Sequence, residues 1–199
     1  MGDVASIMKP EHFNMVWIGK ALPKQLCVHP DSIEMMTGLD RTTMYPLEMR
    51  DVIEYMKVPH KAFDVYQYLR LQNIPPEFTD LLARNGDIVR YPDDSEDLRE
   101  FRDIMFLPYG RLWGKHGVPS DEPSGDSMIL RGFTSDYSMN IDPVIQRFLF
   151  IDRDVEDVPT RAQVVARDMG VSVCKVTAEF LTTFGDILEA DAAYLVHKE

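Results

Sequence analysis

The chain has 199 residues, 45% hydrophobic and 27% charged, the balance of an ordinary globular protein with material for one generous domain or two small ones. A formal net charge of -12 and a pI near 4.8 exclude a surface that binds phosphate generically. Contact with nucleic acid would need a local basic face, whereas the bulk charge suits a basic protein partner.

No apolar run reaches the ~20 residues of a membrane span. The opening "MGDVASIMKPEHF" lacks the basic-then-apolar order of a signal peptide. Gly2 and Ser6 match the short myristoylation pattern, which arises often by chance. Two widely separated cysteines, Cys27 and Cys174, make no disulfide framework. A cytoplasmic protein without membrane association is therefore expected.

The first forty residues mix short apolar runs such as "MVWIG" with turn residues and take no assignment. "PLEMRDVIEYMK" places Leu47, Val52, Ile53 and Met56 on one face of a helix opened by Pro46. "KAFDVYQYLRLQ" spaces Phe63, Tyr66, Leu69 and Leu71 as a second amphipathic helix. "PPEFTDLLARNG" reads as a third, closed at Asn85–Gly86. "SEDLREFRDIMF" reads as a fourth, with Ser95 as N-cap. The acids Asp93, Asp94, Glu96 and Asp97 then complement its dipole rather than hold a metal. Residues 108–126 hold four Gly and three Pro and are expected to be a loop. Beyond it "SMILRGF" suits a strand, and "DPVIQRFLFID" suits either a buried strand or a short helix. The expectation is a mainly α fold, with α+β the alternative. It comprises a helical body over 1–107, the 108–126 loop and a C-terminal segment over 127–199.

That last segment contains "TRAQVVARDMGVSVCKVTAEFL", residues 160–181. Thr160 and Gln163 have capping-box spacing. A helix from Arg161 to Asp168 would bury Ala162, Val165, Ala166 and Met169. Gly170 would supply a sharp turn. Ser172 would cap a second helix carrying Val173, Val176 and Phe180 or Leu181 inward. The order Ala166, then Gly170-Val171-Ser172, then Val176 resembles the helix-turn-helix of bacterial repressor-type regulators.

The resemblance spans about a ninth of the chain and implies that the helix from Ser172 lies in the major groove. Ser172, Val173, Cys174 and Thr177 would then face bases, and Arg161, Arg167 and Lys175 would meet phosphate. No base-facing position holds Arg, Asn or Gln, and the stretch carries three cations against two acids. The tail "FGDILEADAAYLVHKE" would be a wing hairpin, with Ile187, Leu188, Tyr194 and Val196 inward, or a last helix. Dimerisation would strengthen so weakly basic a module.

"YGRLWGKHG" sets Arg111, Trp113 and Lys115 on a flexible stretch where aromatic and basic groups could stack bases and pair phosphates. "FLFIDRDVED" ends an apolar run in Asp152-x-Asp154, which resembles the carboxylate pair that nucleotide-sugar glycosyltransferases present to a divalent metal. No Gly-rich nucleotide loop accompanies it. Cys27-x-His29 lacks the second ligand pair of a zinc site. His12, His60, His116 and His197 are scattered, and no cofactor or catalytic set is implied.

Three functions are thus expected in order. The first is a DNA-binding or transcription-associated regulator. The second is an acidic interaction module for a basic partner, with the helix pair structural. The third is a metal-dependent transferase at Asp152 and Asp154.

Overall fold

The structure, a computed structural model, describes residues 12–23, 26–27, 29, 31–113, 119–120, 126, 128–132, 138–151 and 157–198. The described residues form six α-helices and four small sheets, so the fold is α+β and the expectation of a mainly α protein is corrected. The strands are two to five residues long and their burial seldom alternates cleanly, which leaves little period-two signal in the sequence.

The unassigned N-terminal region supplies β1 (Phe13–Trp17), β2 (Lys20–Ala21), β3 (Ser32–Met36) and β4 (Thr42–Pro46). A 3-10 turn, Leu47–Met49, leads into α1 (Arg50–Met56). After β5 (His60–Lys61) comes α2 (Ala62–Leu71), whose buried face is Ala62, Val65 and Leu69; Phe63 and Leu71 point outward. α3 (Phe78–Asn85) ends at Gly86 as expected, and β6 (Ile88–Pro92) follows.

The fourth expected helix is replaced. Leu98 and Asp103 take left-handed φ values of 55° and 63°, leaving only a 3-10 turn, Arg99–Phe101, before β7 (Ile104–Pro108). Its acids are used locally: Asp93 pairs with Lys61, and Asp97 with Arg99. Within 108–126, β8 (Arg111–Trp113) and β9 (Pro119–Ser120) are strands. Then come β10 (Met128–Arg131), β11 (Ser138–Ile141), α4 (Pro143–Phe150), α5 (Val158–Met169), α6 (Val173–Glu189) and β12 (Ala193–His197). "DPVIQRFLF" resolves to a helix because Asp142 caps it and Pro143 occupies its first turn.

All strand pairings within the sheets are antiparallel. The sheets run β5-β1-β6, β2-β3-β4, β12-β7 and β11-β10-β8-β9. β1 is the pivot. Its alternate residues Met15 and Trp17 enter one core, built from residues 13 to 88 with α1, α2 and α3. Val16 and neighbouring Ile18 enter a larger core around α4, α5 and α6, where Phe101, Phe106, Phe148, Phe180 and Phe184 are buried together. Phe180 and Phe184, one helical turn apart, stack at 4.9 Å. No helix among the described residues is long and apolar enough to cross a membrane.

Candidate functional site

The helix pair of residues 160–181 begins earlier than expected. α5 is capped by Asp157, whose Oδ1 accepts from the Thr160 N–H at 2.8 Å, so Thr160 lies inside the helix and forms no capping box. Gly170 closes α5 with φ 65°. Ser172 caps α6, its Oγ accepting from the Lys175 N–H at 3.2 Å. α4 packs across both helices. α6 then continues to Glu189, and the following residues form β12, which pairs with β7 in register from Ala193↔Pro108 to His197↔Ile104. The tail is therefore neither a wing nor wholly a helix.

Two of the expected contacts face the wrong way. Arg161 is 3% exposed, lies over the Phe148 ring and donates to the Phe148 carbonyl at 3.2 Å. Burial pushes its guanidinium pKa down to about 10. It is a core arginine, out of reach of phosphate. Thr177 is 1% exposed and cannot face bases. Ser172, Cys174, Lys175 and Arg167 are exposed, but Arg167 sits beside Asp168, which also accepts from Arg147 at 2.9 Å. Trp113 is half-buried under Arg131, whose guanidinium lies 4.9 Å from the ring centroid. The Arg111 side chain, Lys115, Asp152 and Asp154 lie outside the described residues. Cys27 bonds backbone carbonyls of Leu22 and Pro23, and no group of three or more metal-ligating side chains occurs among the described residues.

The structure assembles a different site where the two cores meet. A cleft of about 510 Å³ opens between the β1–β2 corner, α1, the end of α6 and β12. Gly19 makes the corner: its φ is 115°, and a Cβ there would lie 2.9 Å from the Met36 carbonyl. Its N–H donates to the Leu195 carbonyl at 2.7 Å, which draws β12 against the corner. The adjacent Lys20 thereby reaches Asp191 at 3.6 Å and the Tyr109 ring, 3.5 Å from its centroid. The Tyr109 hydroxyl donates to the same Asp191 carboxylate. Partial burial lowers the Lys20 pKa, while Asp191 opposes the shift.

The apolar part of the lining is Trp17, Met35, Ile53, Leu188 and Leu195, each 7% exposed or less. Trp17 packs edge-on against Tyr45 at 5.2 Å, yet its indole Nε1 is buried with no hydrogen-bond partner among the described residues. Such a donor costs free energy unless something accepts from it. At the mouth, Glu54 pairs with Lys57. Apolar walls with a few converging polar groups and a titration-shifted lysine are what a small-molecule site presents.

Sequence reasoning missed this cleft because its residues come from four distant segments and share no spacing. Only the Gly in "WIGK" hinted at a special backbone conformation. No family model, characterised protein or solved structure matches the chain, so its function is read from this geometry.

Proposed function

We propose that the protein binds a small molecule in the cleft between its two cores. The observation that carries this reading is the cleft of about 510 Å³ itself, walled by the buried Trp17, Met35, Ile53, Leu188 and Leu195, with the paired Lys20 and Asp191 in the same lining. Occupation would cover the apolar wall. The test uses Trp113→Phe protein, which leaves Trp17 as the sole indole. A chemically mixed ligand set is scored by Trp17 emission and thermal shift. Hits are expected to move both readouts, and to lose their effect in Ala21→Phe, which places a ring in the lining from an exposed position. If the set contains no ligand that distinguishes the two proteins, the reading falls.

A second reading, contact with DNA, is favoured by the Gly170 turn, the Ser172-capped helix and the packing of α4 across the pair. It now rests on Arg167 and Lys175, with Ser172 and Cys174 nearest a groove. Fluorescence anisotropy with a random duplex at low and moderate salt tests it. Binding that weakens with salt and disappears in Arg167→Glu, Lys175→Glu supports it. No duplex binding at low salt removes it.

A further inference from the structure

We infer that the cleft takes small apolar aldehydes, which condense with the Lys20 amine to an iminium; the inference rests on the cleft being the binding site. Three groups fix the position of the amine. Nζ lies 3.6 Å from Asp191 Oδ1, 3.5 Å from the Tyr109 ring centroid and 5.5 Å from that of Tyr194. Lys20, Asp191 and Tyr194 all line the cleft, and the Lys20 side chain is 32% exposed. The amine is thus held at the cavity wall and remains open to a small reagent. Asp191 follows the end of α6 with a left-handed φ of 50°, a conformation that glycine adopts without strain. Its side-chain contacts offset that strain, since Oδ1 accepts from the Tyr109 hydroxyl and faces Lys20.

Condensation suits this arrangement. Partial burial lowers the Lys20 pKa against the opposing Asp191 charge, which enlarges its share of free amine. Asp191 takes a proton from the ammonium. The Nζ lone pair attacks the carbonyl carbon, a C–N bond forms, and the carbonyl π pair moves to oxygen, which receives that proton. Transfer of a second proton from Nζ to the new hydroxyl lets it leave as water. Ammonium and aldehyde become iminium and water, with protons, electrons and charge conserved. The positive charge stays on Nζ, where Asp191 and the Tyr109 ring already stabilise one. Met35, Ile53, Leu188 and Leu195 in the lining cover an alkyl substituent. The lining carboxylates Glu54, Asp191 and Glu189 disfavour an anionic one.

The probe is isovaleraldehyde with cyanoborohydride, which reduces the iminium to a stable secondary amine. Wild-type protein is labelled at neutral pH, and each lysine is scored by peptide mass mapping. Lys57 and Lys61 are the internal controls, with side chains 49% and 44% exposed. Exposure alone would favour both over Lys20. Lys20 is expected to label at least about tenfold faster than Lys61, because binding brings the carbonyl to its amine. Its rate should saturate with aldehyde concentration, whereas that of Lys61 should stay linear. Unfolding in urea, or the Ala21→Phe change in the lining, should abolish the preference.

If Lys20 labels no faster than Lys61, or if its rate stays linear, the inference is overturned. If glyoxylate, an anionic aldehyde, labels Lys20 as fast as isovaleraldehyde does, the apolar substrate class is overturned. If mixed-set ligands occupy the cleft but Lys20 shows no preference, the inference fails alone. If the mixed set does not bind either, the cleft reading falls with it.

Discussion

Glu179 on α6 and Asp142, the cap of α4, bring two carboxyl groups together. A hydrogen bond with Asp142 holds the Glu179 carboxyl above the usual range; desolvation and the Asp142 charge add to this, and Lys175 opposes it. The folded chain thus keeps this proton more tightly than the unfolded chain does. The stabilisation is complete below the unfolded chain's ordinary glutamate value of 4.5 and is lost as pH rises through the folded-state value. At neutral pH the pair is a liability. Glu179→Gln, a permanent donor to Asp142, should raise Tm by roughly 1–3 °C at about pH 7, a modest gain because the pair is partly solvated. The gain should vanish near about pH 4, where wild-type Glu179 is itself protonated. Thermal melts across that range decide it, and a gain that grows on acidification would contradict the shared-proton arrangement. Arg161 belongs to the same scale. Its charge made it look like a phosphate ligand, and only the fold reveals that its guanidinium is used by the Phe148 carbonyl. Residue type reports chemistry, whereas burial decides whether that chemistry meets solvent.

At the scale of elements, the helices were legible and most strands were not. α1, α3, α5 and α6 follow from apolar spacing, and the Gly170 and Ser172 turn follows from the local φ and capping preferences of those residues. β7 was misread as the end of a helix because "LREFRDIMF" also satisfies helical spacing. The left-handed residues Leu98 and Asp103 that interrupt it are not glycines and gave no warning. The start of α5 was misplaced by three residues, since two capping groups compete there. Asp157 caps it in the structure, so Asp157→Ala should cost about 1 kcal/mol, or about 2–4 °C in Tm for a chain of this size. Thr160→Ala should cost a few tenths of that at most. Denaturant melts of the two variants check the order, and a larger loss at Thr160 would restore the capping box.

Over the whole molecule, the cleft exists only because two cores share β1, and this sharing is invisible in a linear pattern. "FNMVWIGK" reads as one apolar run, but Met15 and Trp17 enter one core while Val16 and Ile18 enter the other. Backbone bonds cross the same seam. Ile18 donates to Asp87 at 2.9 Å, Gly19 to Leu195 at 2.7 Å, and His197 to Thr37 at 2.7 Å. The His197 ring shares a further hydrogen bond of 2.6 Å with the Gly86 carbonyl. Opening either core exposes one face of β1 and strips these bonds from the other, so the two should unfold as a unit. In Trp113→Phe protein, Trp17 emission reports the smaller core, while far-UV circular dichroism is dominated by helices, the longest of which, α5 and α6, belong to the larger one. Urea transitions by the two probes should share one midpoint. A cleft ligand should move both midpoints together, because it binds only where the cores are joined. Separate midpoints would mean that the seam opens before the cores melt, and a ligand that shifted only the Trp17 transition would place its site inside the smaller core instead.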